Sequence, residues 1–129
     1  MVRHTTKGEV SYRYFHISEF DSPDEPGSGA GMSPKFLKML DEARDVAGVA
    51  FKINSGYRTP SRNEAVNGSV NSSHLLGCAA DISCHTSGKR FRIVAALIAV
   101  GFTRIGISET FIHVDHDATK TPGVAWLYA

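Results

Sequence analysis

The sequence lacks an excess of charge of either sign, a long apolar segment and a large set of cysteines. Its 14 basic and 13 acidic residues give a formal net charge of +1, and the basic residues are spread along the chain. This composition argues against a nucleic-acid-binding surface and against long-range attraction to an anionic polymer. The longest apolar run, residues 93–101, has about half the length that a membrane-spanning helix needs. We therefore expect no nucleic-acid partner and no membrane association.

Residues 1–20 also lack the features of a secretory signal peptide. Polar and aromatic residues alternate there, and no apolar stretch follows the charged start. We therefore expect a protein that is made in the cytoplasm. If its target lies outside the cell, in the cell wall, the protein must reach it by release or by another export route.

The two cysteines, Cys78 and Cys84, are separated by five residues. If the segment between them is extended, their Cα atoms lie roughly 20 Å apart. A disulfide bond requires a far shorter separation. We therefore expect two free thiols with small, buried side chains.

The length and composition are those of one globular domain. The chain has 129 residues, of which 42% are hydrophobic and 21% are charged, which suffices for one core spanning about residues 12–128. Ser33 and Pro34 form an N-cap and first-turn signal, and Gly48 is a suitable stop, so the sequence predicts a helix over 34–47. We expect a monomer.

Further helices and strands follow from turn residues and apolar periodicity. The pattern predicts a short helix over 60–66 and a long one over 87–100. On the long helix, the positions taken as available to the core are Phe91, Val94, Ala95, Leu97 and Ile98. The predicted strands are 49–53, 78–84, 104–107, 111–116 and 124–128, with Trp126 expected in the core. This mixture predicts an α+β fold with a small, largely antiparallel sheet packed with two main helices.

Two of the predicted strands carry side chains that suit a metal ion. Alternation places Asp81 on the strand face opposite the one that carries the cysteines, and it places His113 and Asp115 together on one face of a later strand. With the loop residue His74, these strands would supply a His-Asp-His set. Catalytic zinc typically has three such ligands and a fourth position for water. Ordinary surface pairs of histidine and aspartate give the same pattern, so the residues alone leave the site open.

Three segments resemble a known family. Residues 72–81 read S-x-H-x-x-G-x-A-x-D, residues 111–115 read Phe-Ile-His-Val-Asp, and residues 55–60 read Ser-Gly-Tyr-Arg-Thr-Pro. The chain resembles the zinc D-Ala-D-Ala carboxypeptidase and L-alanyl-D-glutamate endopeptidase family, in its His-Val-Asp branch, whose fold is shared with the hedgehog signalling domain. The resemblance implies Zn²⁺ bound by His74, Asp81 and His113, with Arg58 beside the substrate cleft.

One position departs from the pattern of many relatives. Those relatives carry an acidic general base three positions before the third zinc ligand, where this chain has Thr110. Glu109 is adjacent but is expected on the other side of the strand. Asp115 shares the face of His113 and is the candidate for the base, or for a residue that orients His113. A turn-forming role for Asp115 and a structural ion pair for Arg58 stay open.

The function implied is hydrolysis of peptide bonds in bacterial peptidoglycan by a zinc metallopeptidase. The small, one-domain build and the lack of a signal peptide favour a phage-type endolysin over a bacterial remodelling enzyme. Peptides of the bacterial cell wall are the expected partners. Arg58 would then bind a carboxylate of the wall peptide, since its guanidinium pairs with two carboxylate oxygens. The alternatives are a zinc-containing binding module of the same fold that does not hydrolyse, which the loss of the acid at Thr110 allows, and a metal-free structural domain.

Overall fold

The computed structural model describes residues 12–128, and its centre is a five-stranded sheet. The strands are β1 (Ile53–Ser55), β2 (Ala79–Ser83), β3 (Arg104–Ile107), β4 (Phe111–Asp115) and β5 (Val124–Leu127). Their order across the sheet is β1-β2-β4-β3-β5. The first four of these pair antiparallel with their neighbours, and β5 pairs parallel with β3. The predicted α+β class is confirmed.

The helices are α1 (Pro34–Ala47), α2 (Pro60–Ala65) and α3 (Ser87–Ala99), with three short 3₁₀ turns. The N-cap of α1 is Ser33, whose hydroxyl accepts a hydrogen bond from the backbone N–H of Phe36 at 3.3 Å. Helices α1 and α3 pack against each other, and α3 contacts β4. One face of the sheet is therefore covered by helices, while the other is free to carry a cleft.

The core lies between α1, α3 and the covered face of the sheet. It contains Phe15, Phe20, Phe36, Phe51, Leu37, Leu40, Ile93, Leu97, Ile112 and Val114, all almost wholly buried. Ala80, Ile82 and Cys84 are fully buried, as the alternation of β2 predicts for its inner face. Cys78 is partly buried, and both cysteines are free thiols.

The structure corrects two details of the sequence prediction. Helix α3 buries Ile93, Ala96 and Leu97, whereas Phe91 and Ile98 are 75% and 60% exposed. The prediction was wrong for Phe91, Ile98 and Ala95, which is also exposed, because α3 is apolar around most of its circumference, so that periodicity does not identify the inner face. The first strand was predicted over 49–53, but β1 begins at Ile53. The reason is that the residues that pair with β2 are Ile53, opposite Ile82, and Ser55, opposite Asp81.

A single row of paired residues crosses all five strands. Ser55 lies opposite Asp81, and Asp81 lies opposite His113. His113 in turn lies opposite Gly106, which lies opposite Trp126. Side chains at directly paired positions point to the same face of a sheet. This row therefore places its four side chains together on the face that the helices leave free.

The described part of the chain contains no helix that is both long enough and apolar enough to cross a membrane.

Gly77 is a position where the backbone requires glycine, and it gives the first prediction. Its φ is +71°, and a Cβ there would lie 2.1 Å from the carbonyl oxygen of Gly31. Gly77→Ala should therefore lower the free energy of unfolding by about 1–3 kcal/mol, measured by denaturant unfolding. The matched control is Gly88→Ala in α3, where a Cβ meets nothing within 4 Å. Equal losses in the two variants would contradict this account.

Candidate metal centre

The free face of the sheet brings together the three residues that the sequence predicts as metal ligands. Asp81 on β2 and His113 on β4 are directly paired, and Asp81 Oδ1 lies 2.9 Å from His113 Nδ1. His74 Nε2 approaches the same carboxylate oxygen at 3.4 Å. One ligand atom from each of the three residues lies within 4.8 Å of the others. The sheet thus supplies two of the donors and a loop supplies the third.

His74 lies on the 3₁₀ turn Ser73–Leu76 and is 3% exposed. The hydroxyl of Ser72 caps this turn by accepting a hydrogen bond from the backbone N–H of His74 at 3.2 Å. His74 Nδ1 lies 2.8 Å from the carbonyl oxygen of Gly56. Because a carbonyl oxygen can only accept, Nδ1 carries the hydrogen, and Nε2 is left with its lone pair directed toward Asp81.

His113 is oriented in the same way by Asp115. Its Nε2 donates to Asp115 Oδ2 at 2.8 Å, which leaves Nδ1 facing Asp81. The other oxygen of Asp115 accepts from Arg104 Nε at 2.7 Å and from the backbone N–H of Asp117 at 3.3 Å. Asp115 is 1% exposed. Both carboxylate oxygens of Asp115 are therefore engaged within the protein.

Burial and the contacts between charged groups shift the pKa values of the cluster in opposite directions. Burial alone would raise the pKa of Asp81, but the hydrogen bond from His113 and the proximity of His74 outweigh it, and the pKa falls well below its ordinary value. Burial alone would lower the pKa of His113, but its contacts with Asp115 and Asp81 outweigh it and raise that pKa. The pKa of Asp115 is lowered against its burial by His113 and Arg104. The carboxylates stay charged, and a cation between them is favoured.

The donor set fits a zinc-type ion. Tetrahedral zinc with bonds of about 2.0–2.1 Å places its ligand atoms about 3.3 Å apart. The distances of 2.9 Å and 3.4 Å from Asp81 Oδ1 to the histidine nitrogens lie close to that value. Histidine ligands usually donate their other N–H to a carboxylate or a carbonyl oxygen, as His113 and His74 do here. A metal ion would take the place of the proton between Asp81 and His113.

The cluster opens into a cleft of 340 Å³. Its charged lining consists of three cations and two carboxylates: Arg58, Arg104, Lys120, Asp81 and Asp115. Phe111, Trp126 and Tyr128 form an aromatic side. The cleft therefore combines charged groups with aromatic rings, and the two kinds of lining meet where Arg104 lies over the ring of Trp126.

Arg58 lies at the edge of this cleft. Its Nη2 is 3.8 Å from Asp81 Oδ2, its Nε donates to Ser55 Oγ at 3.3 Å, and its Nη1 donates to Asn63 Oδ1 at 3.3 Å. Burial lowers the pKa of Arg58 below its ordinary value, although the charge of Asp81 opposes the shift. The guanidinium is thus held in place mostly by neutral oxygen atoms, and it faces the metal cluster.

Sequence reasoning missed a buried network that supports the His74 turn. Ser73 Oγ donates to Asp117 Oδ2 at 2.7 Å, and Lys120 Nζ donates to Ser73 Oγ at 2.7 Å. Burial acts to raise the pKa of Asp117, but hydrogen bonds from Thr119 and Ser73 lower it to about 2. No sequence signal indicates this contact, because Ser73 and Asp117 are 44 residues apart.

The structure also corrects the predicted place of Trp126. The prediction of a core position for Trp126 was wrong: its ring lines the cleft, with its centroid 5.5 Å from that of His113. The reason is that β5 is an edge strand with an otherwise exposed surface. Glu109 and Thr110 are exposed and lie outside the set of residues that line the cleft.

Comparison with known proteins places these residues in a family. The family model for peptidase M15 matches residues 13–115, which include Arg58, His74, Asp81, His113 and Asp115. A search of curated proteins finds no match. M15 peptidases are metal-dependent, and the His-Asp-His cluster is a possible site for that metal. With most of its length matched and this cluster on the free face of its sheet, the chain belongs to the peptidase M15 family.

Proposed function

We propose that the protein is a zinc-dependent peptidase that hydrolyses peptide bonds of bacterial peptidoglycan, with His74, Asp81 and His113 as metal ligands. The observation that carries this proposal is the oriented donor set. Three ligand atoms lie within 4.8 Å, and the outer nitrogens of both histidines are engaged with acceptors. Membership of the M15 family, whose substrates are cell-wall peptides, supports the same function.

The residues around the cluster have separate parts in the proposed reaction. A zinc ion held by His74, Asp81 and His113 would supply Lewis-acid chemistry, which makes water a stronger acid and polarises a carbonyl group. Arg58 pairs with a carboxylate of the wall peptide, and Arg104 and Lys120 add positive charge to the same cleft. The cleft therefore favours peptides that carry carboxylates near the bond that is cut. Whether that bond is a D-Ala-D-Ala or an L-Ala-D-Glu bond depends on the cleft beyond the metal ligands.

Asp115 in this proposal positions His113 and is not the general base. Both of its oxygens are occupied, by His113 on one side and by Arg104 and the N–H of Asp117 on the other. A base must also reach the attacking water, and Asp115, which is 1% exposed and bonded through both oxygens, is poorly placed to do so. Asp115 instead fixes the ring so that Nδ1 faces the metal position, and Arg104 keeps Asp115 ionised.

A non-hydrolytic zinc-binding module is the second candidate, and one observation favours it. Among the described residues that line the cleft, the only carboxylates are Asp81 and Asp115, and both are engaged. Thr110 and Glu109 supply no carboxylate to the cleft. The role of a phage-type endolysin and the monomeric state stay predictions from the sequence.

Turnover separates these two candidates. The zinc-loaded protein should release fragments from purified muropeptides, and their masses should identify a cut within the peptide portion. A chelator should abolish this release and added zinc should restore it. Stoichiometric zinc with no released fragment would identify the binding module instead.

Metal content tests the proposed ligands. The purified protein should bind one zinc ion per chain, and His74→Ala, Asp81→Ala and His113→Ala should each lose most of it by elemental analysis. Each variant should also melt at a lower temperature than the zinc-bound protein, because metal binding stabilises the folded state. The control is His116→Ala, an exposed histidine close to His113 in sequence but outside the cluster. Full zinc content in the three ligand variants would overturn the assignment.

Asp115→Asn distinguishes a positioning residue from a base. If Asp115 positions His113, the variant should bind zinc about 10–100-fold more weakly, and much of its turnover should return at saturating zinc. Titration with a competing chelator measures the affinity. Glu109→Gln is the matched control and should change neither quantity. Unchanged zinc affinity with turnover that stays about 10²–10⁴-fold lower at saturating zinc would identify Asp115 as the base.

A further inference from the structure

The aromatic side of the cleft has no part in the chemistry described so far. The ring of Trp126 lies 5.5 Å from that of His113 and 6.4 Å from that of Tyr128, measured between centroids. The ring of Phe111 lies 5.1 Å from that of Tyr128. We call Phe111, Trp126 and Tyr128 the aromatic platform. It adjoins the metal cluster directly and reaches outward to Tyr128, which is 41% exposed.

The platform exists because Gly106 lies beneath it. Gly106 is the member of the cross-strand row between His113 and Trp126. A Cβ at this position would lie 2.6 Å from Trp126 Nε1 and 2.6 Å from Tyr128 Cε2. The absence of a side chain lets both rings lie over the sheet and close the distance to His113. Arg104 holds the arrangement from another side, with its guanidinium carbon 4.9 Å from the centre of the Trp126 ring.

The chemistry of a wall peptide limits what this platform can bind. The peptide portion offers methyl groups, carboxylates and amines, and the charged groups suit the cations of the cleft better than aromatic rings. The glycan to which the peptide is joined offers a ring with an apolar face and a polar edge. Tyrosine and tryptophan suit such a ligand, because they combine a flat apolar surface with a hydrogen-bonding group.

We infer that the aromatic platform binds the sugar ring of a glycan-linked peptide, an inference that rests on the proposed peptidase function. The ring of Trp126, the part of the platform next to the metal cluster, lies one step of 5.5 Å from the ring of His113, which is about one to two residues of extended chain. The bond that is cut must then lie close to the glycan. This position fits an L-Ala-D-Glu bond, whereas a terminal D-Ala-D-Ala bond would hold the sugar beyond the platform.

The test compares one wall peptide with and without N-acetylmuramic acid on its amino end. The zinc-loaded protein should cleave the sugar-linked peptide with a kcat/KM about three- to tenfold higher. Tyr128→Ala should remove this preference, so that kcat/KM becomes about equal for the two peptides, and Tyr128→Phe should keep most of it. Leu127→Ala is the matched control, since Leu127 is adjacent, 79% exposed and points to the other face.

Fluorescence gives a second measurement that needs no variant and no turnover. Trp126 is the single tryptophan of the chain, so emission excited selectively from tryptophan, and not from the four tyrosines, reports on the platform. N-acetylmuramyl-L-alanine should change this emission in a saturable way, and L-alanine should not. Cleavage of both peptides at equal rates, with no emission change, would overturn the platform while leaving the peptidase proposal intact. Emission changes without any cleavage would instead reject the peptidase proposal and retain the sugar site.

Discussion

The candidate site depends on one row of paired residues that crosses the whole sheet. Ser55, Asp81, His113, Gly106 and Trp126 occupy this row, one on each strand. Since directly paired side chains share a face and lie close together, the pairing register itself brings these groups into contact. A slip of one residue in either β2 or β4 would turn its ligand toward the helices. The pairing register of the sheet therefore determines the metal centre. The packed core on the opposite face stabilises that register.

Charge alternates along a line that runs from the cleft into the protein. Asp81 contacts His113, His113 contacts Asp115, and Asp115 contacts Arg104. Burying any one of these charges alone would be costly, but each has a partner of opposite sign or a hydrogen bond. Each partner also determines which atom of its neighbour is left to face the metal position, as Asp115 does for Nδ1 of His113. Arg104, which contacts Asp115 instead of a metal ligand, in this way helps to hold the His113 ring with Nδ1 facing Asp81.

Much of this arrangement could be predicted from the sequence, for definite reasons. Alternation along β2 separates Asp81 from the buried positions, and the motif around His74 includes Gly77, which the left-handed backbone and the nearby Gly31 require. The structure does bring His74, Asp81 and His113 together, although their binding of zinc stays a prediction. What could not be predicted is pairing across the sheet. Nothing local in the sequence indicates that Trp126 on an edge strand faces the cleft.

The segment that the family model matches ends at Asp115, yet the cleft does not end there. The metal donors and Arg58 all lie within the match, whereas Lys120, Trp126 and Tyr128 lie beyond it. In the proposed peptidase, the donors would hold the metal that any peptide substrate requires, and their positions are determined by the sheet register and the His74 turn. The later residues would contact the parts of the substrate on either side of the bond. The family match therefore covers the candidate metal centre and the part of the cleft that contains Arg58 and Phe111, whereas the rest of the cleft lining lies after residue 115.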